Sequence, residues 1–294
     1  MRIRNPYTYP HNWLKGNFHT HTTLSDGQWT AREAIAAYRD DGYDFLALTD
    51  HDKLVKAPVK SSGRMLILPG QECHISKEAL ETGALSYHVV GLGLKKEVPR
   101  RATGQALLDG VKKAGGLAYV AHPRWTQMPY DDFDALEGYD GFEVWNGNCQ
   151  KECGRGYSCD YWDRYMTASG RALWAIGVDD THLPSRDFGT GWTHVNAART
   201  PAAIYRALRN GDAYASSGPR FETIRVARGV IKVNTSAARA IKFVSTEGRV
   251  IHSVEGEHVK SAAYKPNGGE LYVRVEAHAH DGTVAWSNPF MIEP

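Results

Sequence analysis

Residues 30–49 read Thr30-Ala31-Arg32-Glu33-Ala34-Ile35-Ala36-Ala37-Tyr38-Arg39-Asp40-Asp41-Gly42-Tyr43-Asp44-Phe45-Leu46-Ala47-Leu48-Thr49, and this stretch decides the fold class. Thr30 and Glu33 stand three apart as a capping box, in which each side chain satisfies a backbone N–H left over by the first helical turn. Ala31, Ala34, Ile35 and Tyr38 fall on one helical face, and Gly42 closes the helix. The run Tyr43 to Thr49 is apolar enough for burial on both faces, as expected of a strand inside a parallel sheet. With another strand ending near Phe18, the unit is strand–helix–strand.

The same alternation extends from Leu14 to about Asp180. Further strands are predicted at Met65 to Leu68, His88 to Leu92, Leu117 to Ala121, Gly141 to Trp145 and Leu173 to Val178, with helices around 103–114 and 160–169. Seven strands joined by crossover helices make a parallel barrel or a wound sheet, and either carries its site at the strands' C-terminal ends. After a helix-like segment, Pro201 to Asn210, the texture becomes short alternating strands such as Leu271-Tyr272-Val273-Arg274-Val275. This places an antiparallel β module after a boundary near Ser216, dividing the chain into residues 1–215 and 216–294.

The 294 residues, 42% hydrophobic and 23% charged, are those of a soluble globular protein of two domains, or of one barrel with an appended module. A net charge of +2 without Lys/Arg runs predicts no nucleic-acid polymer and no membrane surface as partner, so any preference for anions must be local. The N-terminal residues lack the apolar core of a signal peptide, and no apolar stretch approaches a membrane span, so the cytoplasm is the expected location. Four cysteines are too few for a disulfide framework. Cys149, Cys153 and Cys159 lack paired C-x-x-C spacing and read as reduced thiols. The oligomeric state is not legible.

His, Asp and Glu recur where the predicted strands end: His19 and His21, Asp26, Asp50 and His51, Glu72, His88, His122, then Asp179, Asp180 and His182. Strand residues two apart point to the same side, so His19 and His21 can hold one ion together, while the other groups face the same mouth from separate strands. A lone histidine is usually structural, but six at strand ends predict a cluster. Of the remaining seven, structural by default, His74 is the one placed to touch the pocket, two residues after Glu72. Imidazole and carboxylate without thiolate suit zinc, iron or manganese, and nine or so potential ligands among these groups exceed the needs of one ion, which implies two or three.

The motifs His19-Thr20-His21 with Ser25-Asp26-Gly27, Leu48-Thr49-Asp50-His51-Asp52, Pro69-Gly70-Gln71-Glu72, His88-Val89-Val90-Gly91, Ala121-His122-Pro123 and Asp180-Thr181-His182 occur in this order. As a series they resemble the polymerase and histidinol phosphatase (PHP) family over about residues 14–185. Tyr214-Ala215-Ser216-Ser217-Gly218-Pro219 and Ala285-Trp286-Ser287-Asn288-Pro289 further resemble the branch with a C-terminal β domain, which includes phosphoesterases and carbaryl-hydrolase-like enzymes. The resemblance implies an α/β fold: a distorted seven-stranded (β/α) TIM-like barrel with a small C-terminal antiparallel β-sandwich-like module. It also implies two or three divalent ions of manganese, zinc or iron. His19, His21, Glu72 and Asp180 would hold one, Glu72 would bridge to a second on His88 and His122, and Asp26, His51 and His182 would hold a third. Asp26 departs from relatives with His at that position. The D-x-H spacing favours Asp180 over Asp179.

The activity implied is phosphate ester hydrolysis on a small molecule such as a nucleotide, by a metal-activated hydroxide. Arg124, after His122-Pro123, is the first candidate phosphate clamp and Arg220 the second. Trp125 and Trp145 follow strand ends and are candidates for stacking on a leaving group, with Asn146 as a hydrogen-bonding partner. The alternative is a carboxylic ester or carbamate hydrolase using the same centre; a third reading is a metal-stabilised binding protein without catalysis.

Overall fold

The strand–helix–strand unit of residues 13–48 is the start of the central sheet in a computed structural model, which describes residues 1–56 and 65–293. The strands are β1 (Arg2–Arg4), β2 (Trp13–Asn17), β3 (Phe45–Leu48), β4 (Leu66–His74), β5 (His88–Leu92), β6 (Leu117–Val120), β7 (Gly141–Asn146), β8 (Ala175–Val178), β9 (Trp192–Asn196), β10 (Ala213–Ser216), β11 (Phe221–Ala227), β12 (Val230–Ser245), β13 (Arg249–Tyr264), β14 (Tyr272–His278), β15 (Val284–Ser287) and β16 (Phe290–Glu293). The helices are α1 (Ala31–Asp40), α2 (Lys77–Glu81), α3 (Gly104–Lys113), α4 (Pro123–Thr126), α5 (Tyr130–Ala135), α6 (Gly147–Cys153), α7 (Cys159–Ser169), α8 (Pro184–Asp187) and α9 (Pro201–Asn210).

Thr30 caps α1 reciprocally with Glu33: the Glu33 amide donates to Thr30 Oγ1 at 3.3 Å and the Thr30 amide to Glu33 Oε2 at 2.8 Å. The helix lays Ala34, Ile35 and Tyr38 on Leu46 and Leu48 of β3, while Phe45 and Ala47 enter a second cluster with Phe18, Leu68, Val90 and Tyr119. β3 is thus buried on both faces. Each such large apolar side chain contributes about 1.5–3 kcal/mol.

Strands β2 to β8 pair in sequence, and the pairings β2–β3, β3–β4, β6–β7 and β7–β8 are parallel. The expectation of parallel strands fails at β5, which is antiparallel to both β4 and β6. A parallel crossover needs a helix that covers the sheet, whereas the link from β4 to β5 holds only the five-residue α2, none of it buried. Reversal has a direct consequence for function: the first residue of β5, His88, comes to the end of the sheet where the parallel strands finish. Backbone bonds from Asp180 N to His19 O (3.1 Å) and from His21 N to Thr181 O (3.0 Å) join the segments just past β8 and β2.

The sheet continues antiparallel from β2 through β9 and β10 to β15, β14 and β16, and the N-terminal β1 pairs with β16. The chain is therefore a mixed α/β protein with one large sheet, parallel in part and antiparallel in part. Residues 271–275 alternate apolar and polar, and both Tyr272 and Arg274 are nonetheless buried. Val273 and Val275 join the cluster of Ile241 and Phe243, while the opposite face of β14 packs on α7, which supplies Asp163. Arg274 Nε and Nη2 donate to Asp163 Oδ1 and Oδ2 at 2.9 and 2.6 Å, Nη1 donates to Glu276, and Tyr272 Oη donates to Asp163 Oδ1 at 2.7 Å. Arg274→Met strands the buried Asp163 without a counter-ion and leaves the buried Glu276 with His278 alone, at 2.8 Å. We expect it to lose about 3–5 kcal/mol in urea unfolding, and Asp163→Asn in the same chain to restore part of that.

Candidate metal centre

His19 and His21 lie just beyond β2, held in extended backbone by the bonds to residues 180 and 181. Their Nε2 atoms are 3.1 Å apart. Each is 3.2 Å from Asp180 Oδ1 and 3.4 Å from Glu72 Oε2. A tetrahedral site with ligands at 2.0–2.1 Å has edges of about 3.3–3.4 Å, so the His19, His21 and Glu72 atoms are spaced as three ligands of one small divalent cation, with Asp180 Oδ1 within 3.2 Å of both imidazoles. Asp180 Oδ1 is buried without a hydrogen-bond partner among the described residues, an acceptor that such a cation would satisfy. The donor set fits.

Glu72 faces two ways. While Oε2 meets His19 and His21, Oε1 lies 2.9 Å from His88 Nδ1 and 3.2 Å from His122 Nε2. A third group gathers at the mouth, where Asp26 Oδ2 is 3.3 Å from His51 Nε2 and Asp26 Oδ1 is 3.5 Å from His182 Nε2 and 3.6 Å from His21 Nδ1. Asp26 rides on a tight loop built by Asp50, whose Oδ1 accepts from the Thr22 and Ser25 amides at 2.7 and 3.1 Å. Gly27 is obligatory in that loop, since a Cβ there would sit 2.4 Å from His21 O. Asp50 therefore shapes the site without entering it.

Burial dominates the electrostatics. It lowers His21 to about 4 and His88 to about 3, which leaves their lone pairs free at neutral pH. Burial acts the same way on His51, but bonding and charge from Asp26 and Glu72 overcome it and raise His51 to about 10. His19 is likewise raised, against burial, by Asp180, Glu143 and Glu72. Burial works to raise Glu72, yet the charge of His19 and hydrogen bonds from His122 and His19 keep it well below the usual carboxylate range.

Behind the ligand atoms lies a support that the sequence reading missed. The fully buried Glu143 of β7 places Oε1 2.6 Å from His19 Nδ1, and its Oε2 accepts from the His122 amide at 3.0 Å and from Asn146 Nδ2 at 2.9 Å. A carboxylate in the otherwise apolar run Gly141 to Trp145 was the available signal. Asn146, expected to meet substrate, is buried and also donates to Asp180 Oδ2 at 3.0 Å, so it orients a site group from behind. Asp179 points away from the cluster and accepts from Tyr38 Oη at 2.7 Å and the Gly189 amide at 3.1 Å.

The cluster forms one wall of a cavity of about 360 Å³, also lined by Trp125, Asn148, Cys149, Glu152, Leu183 and Arg186. Trp125 stands with its ring centroid 4.9 Å from that of His122. Arg124 lies outside this lining: the turn at His122 (φ 27°) carries α4 away from the mouth, and the guanidinium pairs with Asp160 on α7 at 2.9 Å. Arg220 is exposed and also outside it. Trp145 packs on Trp286, centroids 5.6 Å apart, and donates to Thr190 O. His74 stacks on His88 at 4.1 Å, with Nε2 3.4 Å from Glu72 Oε2. Arg186 is the cavity's arginine, one helical turn past His182, a spacing that the sequence displayed and the reading passed over.

Two outcomes follow from this geometry. Glu143→Gln should weaken divalent-metal binding about 10- to 100-fold in chelator competition, because the His19 ring loses the carboxylate that aims it. Second, His51 and His19 carry protons near pH 7 in the metal-free protein, and a cation must displace them. Calorimetry in buffers of different ionisation enthalpy should register proton release on metal binding, with affinity rising as pH rises, by about tenfold per unit for each proton released.

No family model matches the sequence. Among curated proteins, the chain is similar to DNA polymerase/3'-5' exonuclease PolX of Bacillus subtilis, 42% identical over 43 residues, a match spanning 15% of this chain and 8% of the polymerase. That match overturns the expectation that a nucleic-acid polymer has no part here: the expectation rested on net charge, which does not report on a site whose cations are bound locally. Among solved structures, the lesion-specific endonuclease PfuEndoQ of Pyrococcus furiosus is 14% identical with a TM-score of 0.45, covering 68% of this chain and 56% of that one. A two-domain protein of Bacteroides vulgatus containing a predicted PHP-like metal-dependent phosphoesterase is 18% identical with a TM-score of 0.55, covering 98% of this chain and 99% of that one. Over nearly its whole length the chain thus shares the fold of a protein containing a predicted PHP-like metal-dependent phosphoesterase, the family that its ordered motifs resemble.

Proposed function

We propose that this chain is a PHP-family enzyme that hydrolyses phosphate esters at a centre of two or three divalent ions of manganese, zinc or iron. The observation that carries the reading is the two-faced Glu72 carboxylate, with His19, His21 and Asp180 on one side and His88 and His122 on the other. Asp26, His51 and His182 would hold a third ion. Bound ions of this kind acidify water and stabilise the charge of a phosphoryl transition state. The chain's own part is to aim the ligands, through Glu143 and Asn146, and to release the protons of His19 and His51 to solvent so that their rings can hold the ions.

On this reading the circuit β2 to β8 is a distorted seven-stranded barrel. Residues 1–215 form the catalytic unit, and 216–294 form a β-sandwich-like unit that braces α7 through Asp163 and Arg274. A cavity of about 360 Å³ suits a phosphoryl group with one nucleoside-sized substituent, free or at the end of a strand.

The test is turnover of mono- and bis-nitrophenyl phosphate by protein stripped with chelator and reloaded with each metal. Phosphoesterase activity should vanish on stripping, return on loading and fall at least ~10³-fold in His19→Ala. Naphthyl acetate, naphthyl carbamate and a phosphorylated oligonucleotide belong in the same panel. Carbonyl esters cleaved in place of phosphate esters, or equal rates for wild type and His19→Ala, would overturn the proposal.

A further inference from the structure

Arg186 is the one Lys or Arg among the residues lining the cavity, where Asp26, Glu72, Glu152 and Asp180 are acidic. Its guanidinium is fixed along one edge. Nε donates to Asp187 Oδ1 at 2.5 Å, and Nη2 donates to Asn148 Oδ1 and, at 3.4 Å, to Asp187 Oδ2. Asp187 is itself immobile, fully buried with Oδ2 accepting from the His182 and Leu183 amides at 3.0 and 2.7 Å. Asn148 Nδ2 lies 3.3 Å from His182 Nδ1, so the same small network ties the arginine to the third ligand group. The remaining nitrogen, Nη1, makes no hydrogen bond or ion pair among the described residues, and the side chain is one-third exposed, on the cavity wall. An arginine held by one edge with the other left open is preorganised to receive an oxyanion.

We propose that Arg186 is the phosphate-reading residue of this site, its Nη1 edge holding a non-bridging oxygen of a terminal phosphate, so that the substrate class is a phosphomonoester. The inference rests on the phosphoesterase reading and narrows it. A monoester carries three oxygens free of ester bonds, enough to meet a bridged pair of cations and the guanidinium together. A diester has two and leaves one cationic contact unfilled, at the cost of an unpaired desolvated charge. Trp125 stands on the cavity wall by His122 and His88, where a planar leaving group can lie against it. Because four carboxylates face one arginine, the metal-free cavity repels a phosphate dianion, and Arg186 acts only when the cations are present. Free mononucleotides and strands with a terminal phosphate share this chemistry.

The experiment is calorimetric titration of inorganic phosphate into metal-loaded wild type, Arg186→Met and Arg186→Lys, with the metal content of each measured first. Arg186→Met should keep its metal and bind phosphate at least ~10-fold more weakly; Arg186→Lys, which retains the charge and serves as the folding control, should fall between. Preference for mono- over bis-nitrophenyl phosphate should shrink in Arg186→Met, chiefly through KM. Turnover of mononucleotides or of end-phosphorylated oligonucleotides each supports the inference, and their ratio identifies the source. Phosphate affinity within twofold of wild type in Arg186→Met, or a wild-type preference for the diester, overturns it. The two readings fail separately. Phosphate binding that depends on Arg186 without turnover of any phosphate ester leaves the anion site standing and removes the phosphoesterase; turnover with unchanged phosphate affinity in Arg186→Met does the reverse.

Discussion

A carboxylate buried to 1% exposure among imidazoles is the constraint on which the rest of the molecule depends. Desolvation of Glu72 alone would be costly, and the charge of His19 with the hydrogen bonds of the surrounding imidazoles makes its ionised form tolerable. Both oxygens are used: Oε1 faces His88 and His122, while Oε2 faces His51 at 2.7 Å and His19, His21 and His74 at 3.4 Å. The geometry exists because β4 delivers Glu72 next to the reversed β5, so that a residue opening one strand meets a residue near the end of its neighbour. A parallel β5 would carry His88 to the opposite end of the sheet.

Around that carboxylate the backbone is bent where side chains must converge. Asp52, His122 and Asp180 all adopt positive φ, at 55°, 27° and 53°, and all follow strands that end at the cluster. Such conformations are disfavoured for residues with a Cβ and persist where the surroundings over-determine them. Here the determinants are visible: the Asp180 amide bonds His19 O, the His122 amide bonds Glu143, and Asp52 pairs with Arg100 at 2.7 Å. Rigid placement of ligand atoms and strained turns are two sides of one arrangement.

Charge balance misleads at this site. The whole chain carries +2, yet the cavity lining has four carboxylates against one arginine. A region this acidic favours cations over anions. Any reading of partners from net charge averages over the one place where the field is concentrated. Among the described residues no helix is long and apolar enough to cross a membrane.

The sequence by itself determined the local units and the inventory of the site. The capping box at Thr30, the doubly buried run ending at Thr49 and the helix at Pro201 are legible because propensity, periodicity and caps act within a few residues. The ordered His, Asp and Glu groups are legible because strand ends bring their last residues to one mouth. What lay beyond reach depends on elements far apart in the chain. Reversal of β5 was decided by a short connecting helix with no buried residue, and burial of Arg274 by the packing of α7 on its side of β14. Arg124 and Arg186 are alike in sequence, each shortly after a site histidine. Only the turn at His122 and the buried Asp187 decide that the first pairs with Asp160 at the surface while the second faces the cavity, since a side chain's direction is set by the partners that hold it.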